Sequence, residues 1–236
     1  MRTLFSKPFR LIFRSNQAMP GGSNRQRYLS QKRALDLALS LAVMPMAAAA
    51  MAVIAIAILL ESPGPVFFLQ RRVGRGGGRF RMYKFRTMSQ DYDDRLDHAF
   101  MKAFVAGQIG REESTHSRPL YKPHDAAQIT RVGRVLRKTS LDELPQIVNV
   151  LRGEMSLVGP RPNLPWEVEA YQDWHKERLE VLPGITGLAQ VRGRSNLSFD
   201  SIVEYDLEYI RKQSLKLDVQ ILWWTVWWVL SGQGAG

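Results

Sequence analysis

The sequence predicts an α+β, membrane-associated fold, and three observations carry that prediction. Leu37 to Leu60 is almost wholly apolar. Val66 to Met88 holds two strand-like runs around a glycine-rich turn, Gly74-Arg-Gly-Gly-Gly78. Much of the rest repeats its apolar residues at helical period. An N-terminal membrane helix, a small β-hairpin and several amphipathic or interfacial helices follow from these patterns.

The chain has 236 residues, enough for one domain with a real core plus appendages. It has no cysteine, which excludes disulfides, thiolate metal sites and cysteine nucleophiles. A net charge of +11 and a pI near 10.2 imply a polyanionic partner: nucleic acid, anionic lipid or a phosphorylated substrate. The four histidines, His98, His116, His124 and His175, lack metal-ligand spacing and read as surface residues.

Residues 1–31 are basic and contain a Pro-Gly-Gly-Ser-Asn stretch, so they are expected to form a flexible or membrane-surface arm. Residues 32–62 form the membrane segment, which is long enough to cross a bilayer. A secretory signal fits poorly, because the run is too long and starts inside the chain. Two features argue against a simple span. Lys32 and Arg33 precede the run and Arg71, Arg72 and Arg75 follow it, so the positive-inside rule holds both ends on one side. Pro45 interrupts it, and proline tends to kink a helix. From these residues a span and a re-entrant helix both remain open.

Residues 63–236 form the expected cytoplasmic domain. Gly74 to Gly78 reads as a hairpin turn, because the Lys-Ser/Thr ending of a phosphate loop is absent. Tyr92 to Val105 predicts an amphipathic helix and residues 110–125 an exposed loop. Arg131, Arg134, Arg137 and Lys138 predict a helix with a basic face. A second helix follows, with Ile147, Val148 and Leu151 inward and Gly153 at its end. Trp166 to Leu182 and Ser198 to Gln213 predict two more helices. Trp223, Trp224, Trp227 and Trp228 form two i, i+4 pairs and predict a helix at a membrane interface.

Asp142 and Glu143 stand among cations. Ser140-Leu-Asp-Glu143 matches a capping box, which would explain both acids structurally. Arg137, Lys138, Arg152 and Arg161 surround them, and such cations are expected to keep a carboxylate ionised at neutral pH. An ionised Asp is a competent nucleophile toward phosphorus. A neighbouring Glu suits a hard cation such as Mg²⁺. Asp218, just before the tryptophans, reads as an N-cap.

Several long segments, in order, resemble one family: KRALDLALSL, SPGPVFFLQRRVG, KFRTM, TSLDELPQIVNVLRGEMSLVGPRP, PGITGLAQVRGR and the YDLEYI…LDVQIL ending. They resemble the bacterial monotopic phosphoglycosyl transferases, or polyprenyl-phosphate sugar-phosphate transferases, in the short form that initiates exopolysaccharides. The resemblance implies a re-entrant membrane helix with both ends cytoplasmic, on the inner membrane. It implies that Asp142 attacks the β-phosphate of a UDP-sugar, expels UMP and passes the phosphosugar to undecaprenyl phosphate. It implies Mg²⁺ held by Glu143 with Asp142. Lys84, Arg86, Arg137 and Arg161 match the family's basic positions and are expected to bind substrate phosphates; Arg194 and Asp218 also match and are expected at the substrate. Membrane phospholipid is an expected partner, a homodimer is compatible, and nucleic acid is not expected, since no helix-turn-helix, RNP or zinc-finger pattern is present. Galactose or glucose is the expected sugar. The competing reading is a non-catalytic peripheral membrane protein that binds anionic lipid.

Overall fold

A computed structural model describes residues 22–89, 95–105, 107, 128–193 and 197–231. The first element, α1 (Gly22–Glu61), is 40 residues long and its helical backbone continues through Pro45. It begins ten residues before the expected membrane segment, so part of the expected arm is helix. Then come β1 (Phe67–Val73), a 3₁₀ turn at Arg75–Gly77 and β2 (Arg79–Phe85). After α2 (Arg95–Val105) and α3 (Arg131–Thr139), a 3₁₀ turn at Leu141–Glu143 leads into α4 (Gln146–Arg152). The chain closes with β3 (Ser156–Val158), α5 (Pro165–Glu169), a 3₁₀ segment at Asp173–Glu180, β4 (Gly184–Thr186), α6 (Leu188–Arg192), α7 (Phe199–Arg211) and α8 (Leu215–Leu230).

The hairpin forms as expected. β1 and β2 pair antiparallel, with Phe67 opposite Phe85 and Val73 opposite Arg79. Gly76 and Gly77 take positive φ of 66° and 81° in the turn, a region that favours glycine. β3 and β4 pair in parallel through Ser156–Gly184 and Val158–Thr186.

The main core lies between α2, β3, α6, α7 and α8. Phe104, Val158, Leu188, Val203 and Ile221 are buried in it. Burying each such side chain contributes about 1.5–3 kcal/mol. A second cluster joins Ile58 of α1 to Phe85 of β2 and Leu136 of α3. A third joins Met82, Val150 and Met155.

α1 docks at both ends. Near its start, Arg33 donates to the carbonyls of Val150 and Leu151, and Asp36 accepts from Ser156 Oγ and the Leu157 N–H. At its end, the Glu61 carboxylate accepts from the N–H groups of Arg131 and Val132 and so caps α3. Thr130 caps the same helix through Gly133 N–H. The outward side of α1 leaves Leu41, Met46, Val53, Ile56 and Leu60 exposed. α1 is the one helix among the described residues long and apolar enough to cross a membrane.

Several expectations need correction. Trp166 to Leu182 is not one helix: it breaks at Ala170–Gln172 into α5 and a 3₁₀ segment. Pro165 starts α5, and Tyr171 turns into the core. α4 buries Gln146, Ile147, Asn149 and Val150, while Val148 and Leu151 are only half-buried. Asn149 is drawn inward because its side chain bonds both Tyr83 N–H and the Arg81 carbonyl. His175 is not on the surface; it is fully buried between Tyr171, Trp174 and Phe199. The expected loop at 110–125, with His116 and His124, lies outside the described residues.

Candidate active site

Asp142 and Glu143 sit in the turn between α3 and α4. The turn is sharp because Ser140 adopts a left-handed conformation, φ 58°. Ser140 therefore ends α3, through its N–H to the Arg137 and Leu136 carbonyls, and its side chain makes no capping bond. This overturns the capping box: α4 begins only at Gln146, after Pro145. Glu143 turns instead toward the hairpin.

There Lys84 of β2 donates to Glu143 Oε1 at 2.8 Å. Arg161 reaches the same oxygen at 2.8 Å and Oε2 at 3.5 Å. The two cations hold the Glu143 carboxyl well below the usual carboxylate range, against the opposing effect of burial. Asp142 differs. Burial raises its carboxyl above the ordinary value; Lys84 opposes this, the Glu143 charge adds to it, and Arg161 and Arg137 oppose it. The expectation that cations dominate thus holds for Glu143, and burial outweighs them at Asp142. Among the described residues none donates a hydrogen bond to Asp142. Burial lowers Lys84 below the ordinary lysine value, with Glu143 opposing.

Arg161 lies on a loop that is itself held from behind. Arg178 donates to the Arg161 carbonyl at 3.2 Å and to Asn163 Oδ1 at 2.7 Å. Arg72 donates to the Pro162 carbonyl, and Val73 N–H to the Asn163 carbonyl. Gly159 lets this loop approach its neighbour: a Cβ there would lie 2.5 Å from the Leu182 carbonyl oxygen.

Of the residues expected at the site, the structure brings together Asp142, Glu143, Lys84 and Arg161, with Arg137 close enough to act on the Asp142 charge. Arg137 Nε also donates to Thr87 Oγ1. Two expected residues have other partners. Arg86 is buried and donates to the carbonyls of Ser62 and Pro63, so it clamps the exit of α1. Asp218 is 1% exposed and accepts from Tyr28 and Tyr209 while pairing with Lys32 at 3.1 Å. It ties α1 to α8, and the N-cap of α8 is Ser214. Arg194 lies outside the described residues. Sequence reasoning missed Arg178, Asp206 and Asn163: Asp206 lies within the YDLEYI segment, but nothing in the sequence ties these three residues to the acidic pair.

The donor set suits a phosphorylated substrate: one available carboxylate beside a Glu–Lys–Arg cluster. Among the described residues no three His, Cys, Asp or Glu side chains cluster as a metal cage. Asp142 and Glu143 would offer carboxylate oxygens to Mg²⁺ alongside substrate phosphates and water, with Glu143 also held by Lys84 and Arg161.

A body that carries a long apolar helix and a cluster suited to phosphate defines a class of membrane-associated transferase to set beside the comparisons. A family profile described as bacterial sugar transferase matches residues 27–232. The chain belongs to the bacterial sugar transferase family, as its motifs led us to expect. It is 44% identical over 179 residues to a galactosyl transferase, CpsE, of Streptococcus agalactiae, covering 74% of this chain and 37% of that protein. It is 36% identical over 195 residues to the exopolysaccharide production protein ExoY of Sinorhizobium fredii, covering 83% of each. It is 43% identical over 173 residues to the undecaprenyl-phosphate galactose phosphotransferase of Salmonella typhimurium, covering 73% of this chain and 35% of that protein. The chain thus spans about a third of the Streptococcus and Salmonella relatives and most of the Sinorhizobium one.

Proposed function

We propose that this chain is a phosphoglycosyl transferase that moves a sugar-1-phosphate from a UDP-sugar to undecaprenyl phosphate, the first membrane step of exopolysaccharide synthesis. The observation that carries the reading is the Asp142 carboxylate, free of hydrogen bonds from described residues, beside the Lys84–Glu143–Arg161 cluster. An Asp142 oxygen attacks the β-phosphorus of the UDP-sugar. The bond from that phosphorus to the bridging oxygen breaks, and UMP leaves with the oxygen. The sugar phosphate stays on Asp142 as an acyl phosphate. A phosphate oxygen of undecaprenyl phosphate then attacks the same phosphorus, and the Asp142 carboxylate is expelled. Lys84, Arg161 and Arg137 bind the phosphate oxygens and stabilise the charge that develops on them. Asp142 and Glu143 would hold Mg²⁺, which supplies further charge neutralisation at the diphosphate. Galactose or glucose is the proposed sugar, and names of relatives support galactose.

We place the chain on the cytoplasmic face of the bacterial inner membrane, with α1 entering and leaving from one side. The support is its double docking. Arg33 and Asp36 bond the same body as Glu61, yet a span would separate the ends by a hydrocarbon core of about 30 Å. The lipid-binding alternative leaves the Glu143 cluster and the available Asp142 without a role.

UMP release from a panel of UDP-sugars, with undecaprenyl phosphate and Mg²⁺ in detergent, tests the reading. Release from one donor that disappears in Asp142→Asn agrees with it. No release by folded protein from any donor moves the assignment to lipid binding.

A further inference from the structure

One face of the β-hairpin changes chemistry in three steps. Phe67 stands opposite Phe85, Leu69 opposite Tyr83 and Arg71 opposite Arg81. The pleat puts these three pairs on one face, with about 7 Å between successive pairs. The first pair is two stacked rings, with centroids 5.4 Å apart. The second joins an aliphatic side chain to a phenol. The third is two guanidinium groups. Phe67 and Leu69 are 46% and 47% exposed, and Arg71 and Arg81 are exposed too. Arg152, from the end of α4, lies over the Tyr83 ring at 5.3 Å and donates to its hydroxyl.

Like charges directly opposite one another destabilise a strand pair. Here no carboxylate among the described residues offsets Arg71 and Arg81. A ligand that favours this arrangement is anionic, and it meets apolar side chains one step along the strand. The order apolar, phenol, guanidinium is the order of a bilayer surface: hydrocarbon, interface, headgroup phosphate. The apolar end also continues into α1. Phe67 stacks on Phe85, and Phe85 shares a buried cluster with Ile58, beside which Ile56, Leu59 and Leu60 are exposed.

We propose that this hairpin face is a contact for anionic phospholipid. Phe67 and Leu69 enter the edge of the acyl chains, and Arg71, Arg81 and Arg152 take headgroup phosphates. The proposal rests on the membrane docking of α1 given above and adds a second, charge-selective contact. It gives the contact a purpose as well. Lys84 lies on the other face of the same strand and bonds Glu143, so the depth of the hairpin sets the height of the catalytic cluster above the lipid.

The sequence has no cysteine, so one introduced thiol carries a label at one place. The full chain is reconstituted in phosphatidylcholine nanodiscs with or without phosphatidylglycerol. A bimane at Leu69→Cys, or at Val53→Cys on the outward side of α1, reports quenching by acyl-chain nitroxides. The proposal predicts quenching at both positions in the anionic discs. It predicts that Arg71→Glu with Arg81→Glu abolishes quenching at position 69 and leaves position 53 unchanged. A quenched label at 53 with an unquenched label at 69 overturns the proposal and spares the docking of α1. Quenching at 69 that ignores both phosphatidylglycerol and charge reversal overturns the headgroup contact. An unquenched label at 53 overturns the membrane reading itself, and the proposal with it.

Discussion

Arg178 and Asp206 form an ion pair sealed from solvent, their side chains 2% and 1% exposed. The pair stands behind the candidate active-site loop, because Arg178 also donates to the Arg161 carbonyl and to Asn163. Removing one partner strands a buried charge, which costs about 3–5 kcal/mol. Arg178→Ala is therefore expected to lower the denaturation midpoint and to raise KM for the UDP-sugar more than it lowers kcat. Arg178→Lys, which cannot hold all the partners, recovers stability only in part. Normal KM in a destabilised Arg178→Ala would show that the pair does not position Arg161.

The same pair has a pH signature. Burial pushes the Asp206 carboxyl up to about 6, although Arg178 opposes this. A pKa raised above the unfolded value, about 3.9, adds stability that is complete below that value and lost as pH rises through about 6. Asp206→Asn removes this slope from the melting temperature between pH 4 and 6.5. A mutant slope as steep as that of the wild type would assign the titration elsewhere.

Asp218 separates structure from substrate binding. It bonds Tyr28, Tyr209 and Lys32 in a buried cluster joining α1 to α8. Asp218→Ala is expected to cost about 3–5 kcal/mol and to leave KM for the UDP-sugar near normal in whatever fraction folds. A stable protein with a much raised KM would return Asp218 to the substrate site.

At the acidic turn, Lys84 is the largest influence lowering the Asp142 carboxyl, and the Glu143 charge raises it. The acid limb of kcat/KM should thus move to higher pH in Lys84→Gln. In Glu143→Gln it should move to lower pH, alongside a weaker Mg²⁺ dependence. Substrate phosphates titrate equally in all three proteins, so the displacement between them is the readout. Shifts in the same direction for both mutants would contradict the charge relationships described here.

Gly133 lets α3 approach the hairpin exit. A Cβ there would lie 2.1 Å from the Thr87 carbonyl oxygen. Gly133→Ala is expected to destabilise by about 1–3 kcal/mol through overpacking, although alanine is the better helix former by about 1 kcal/mol. A raised urea midpoint would mean that this backbone contact is absent.

The sequence made some features legible because their causes are local. The hairpin follows from glycines that permit positive φ between two strand-like runs. α4 ends at Gly153, which takes a left-handed φ of 78°. Asp142 and Glu143 were visible through the cations near them in sequence. The role of Ser140 was not, because one positive φ converts a helix start into a helix end, and serine does not advertise it. Arg86 and Asp218 are expected at the substrate, and the partners the structure gives them, Ser62, Pro63, Tyr28 and Lys32, were not legible because tertiary packing brings them together. Arg178 acts on Arg161 through a backbone carbonyl, and a carbonyl leaves no mark on residue identity.

The covalent role of Asp142 is best tested by intact-protein mass spectrometry. The full chain is mixed with its UDP-sugar and Mg²⁺ without undecaprenyl phosphate, then quenched in acid. The account predicts a mass increase of one sugar phosphate, located by peptide mapping on Asp142. It also predicts loss of that mass on adding undecaprenyl phosphate and its absence in Asp142→Asn. Release of UMP only when undecaprenyl phosphate is present, with no adduct at any time point, would contradict the account and indicate direct transfer between the two substrates.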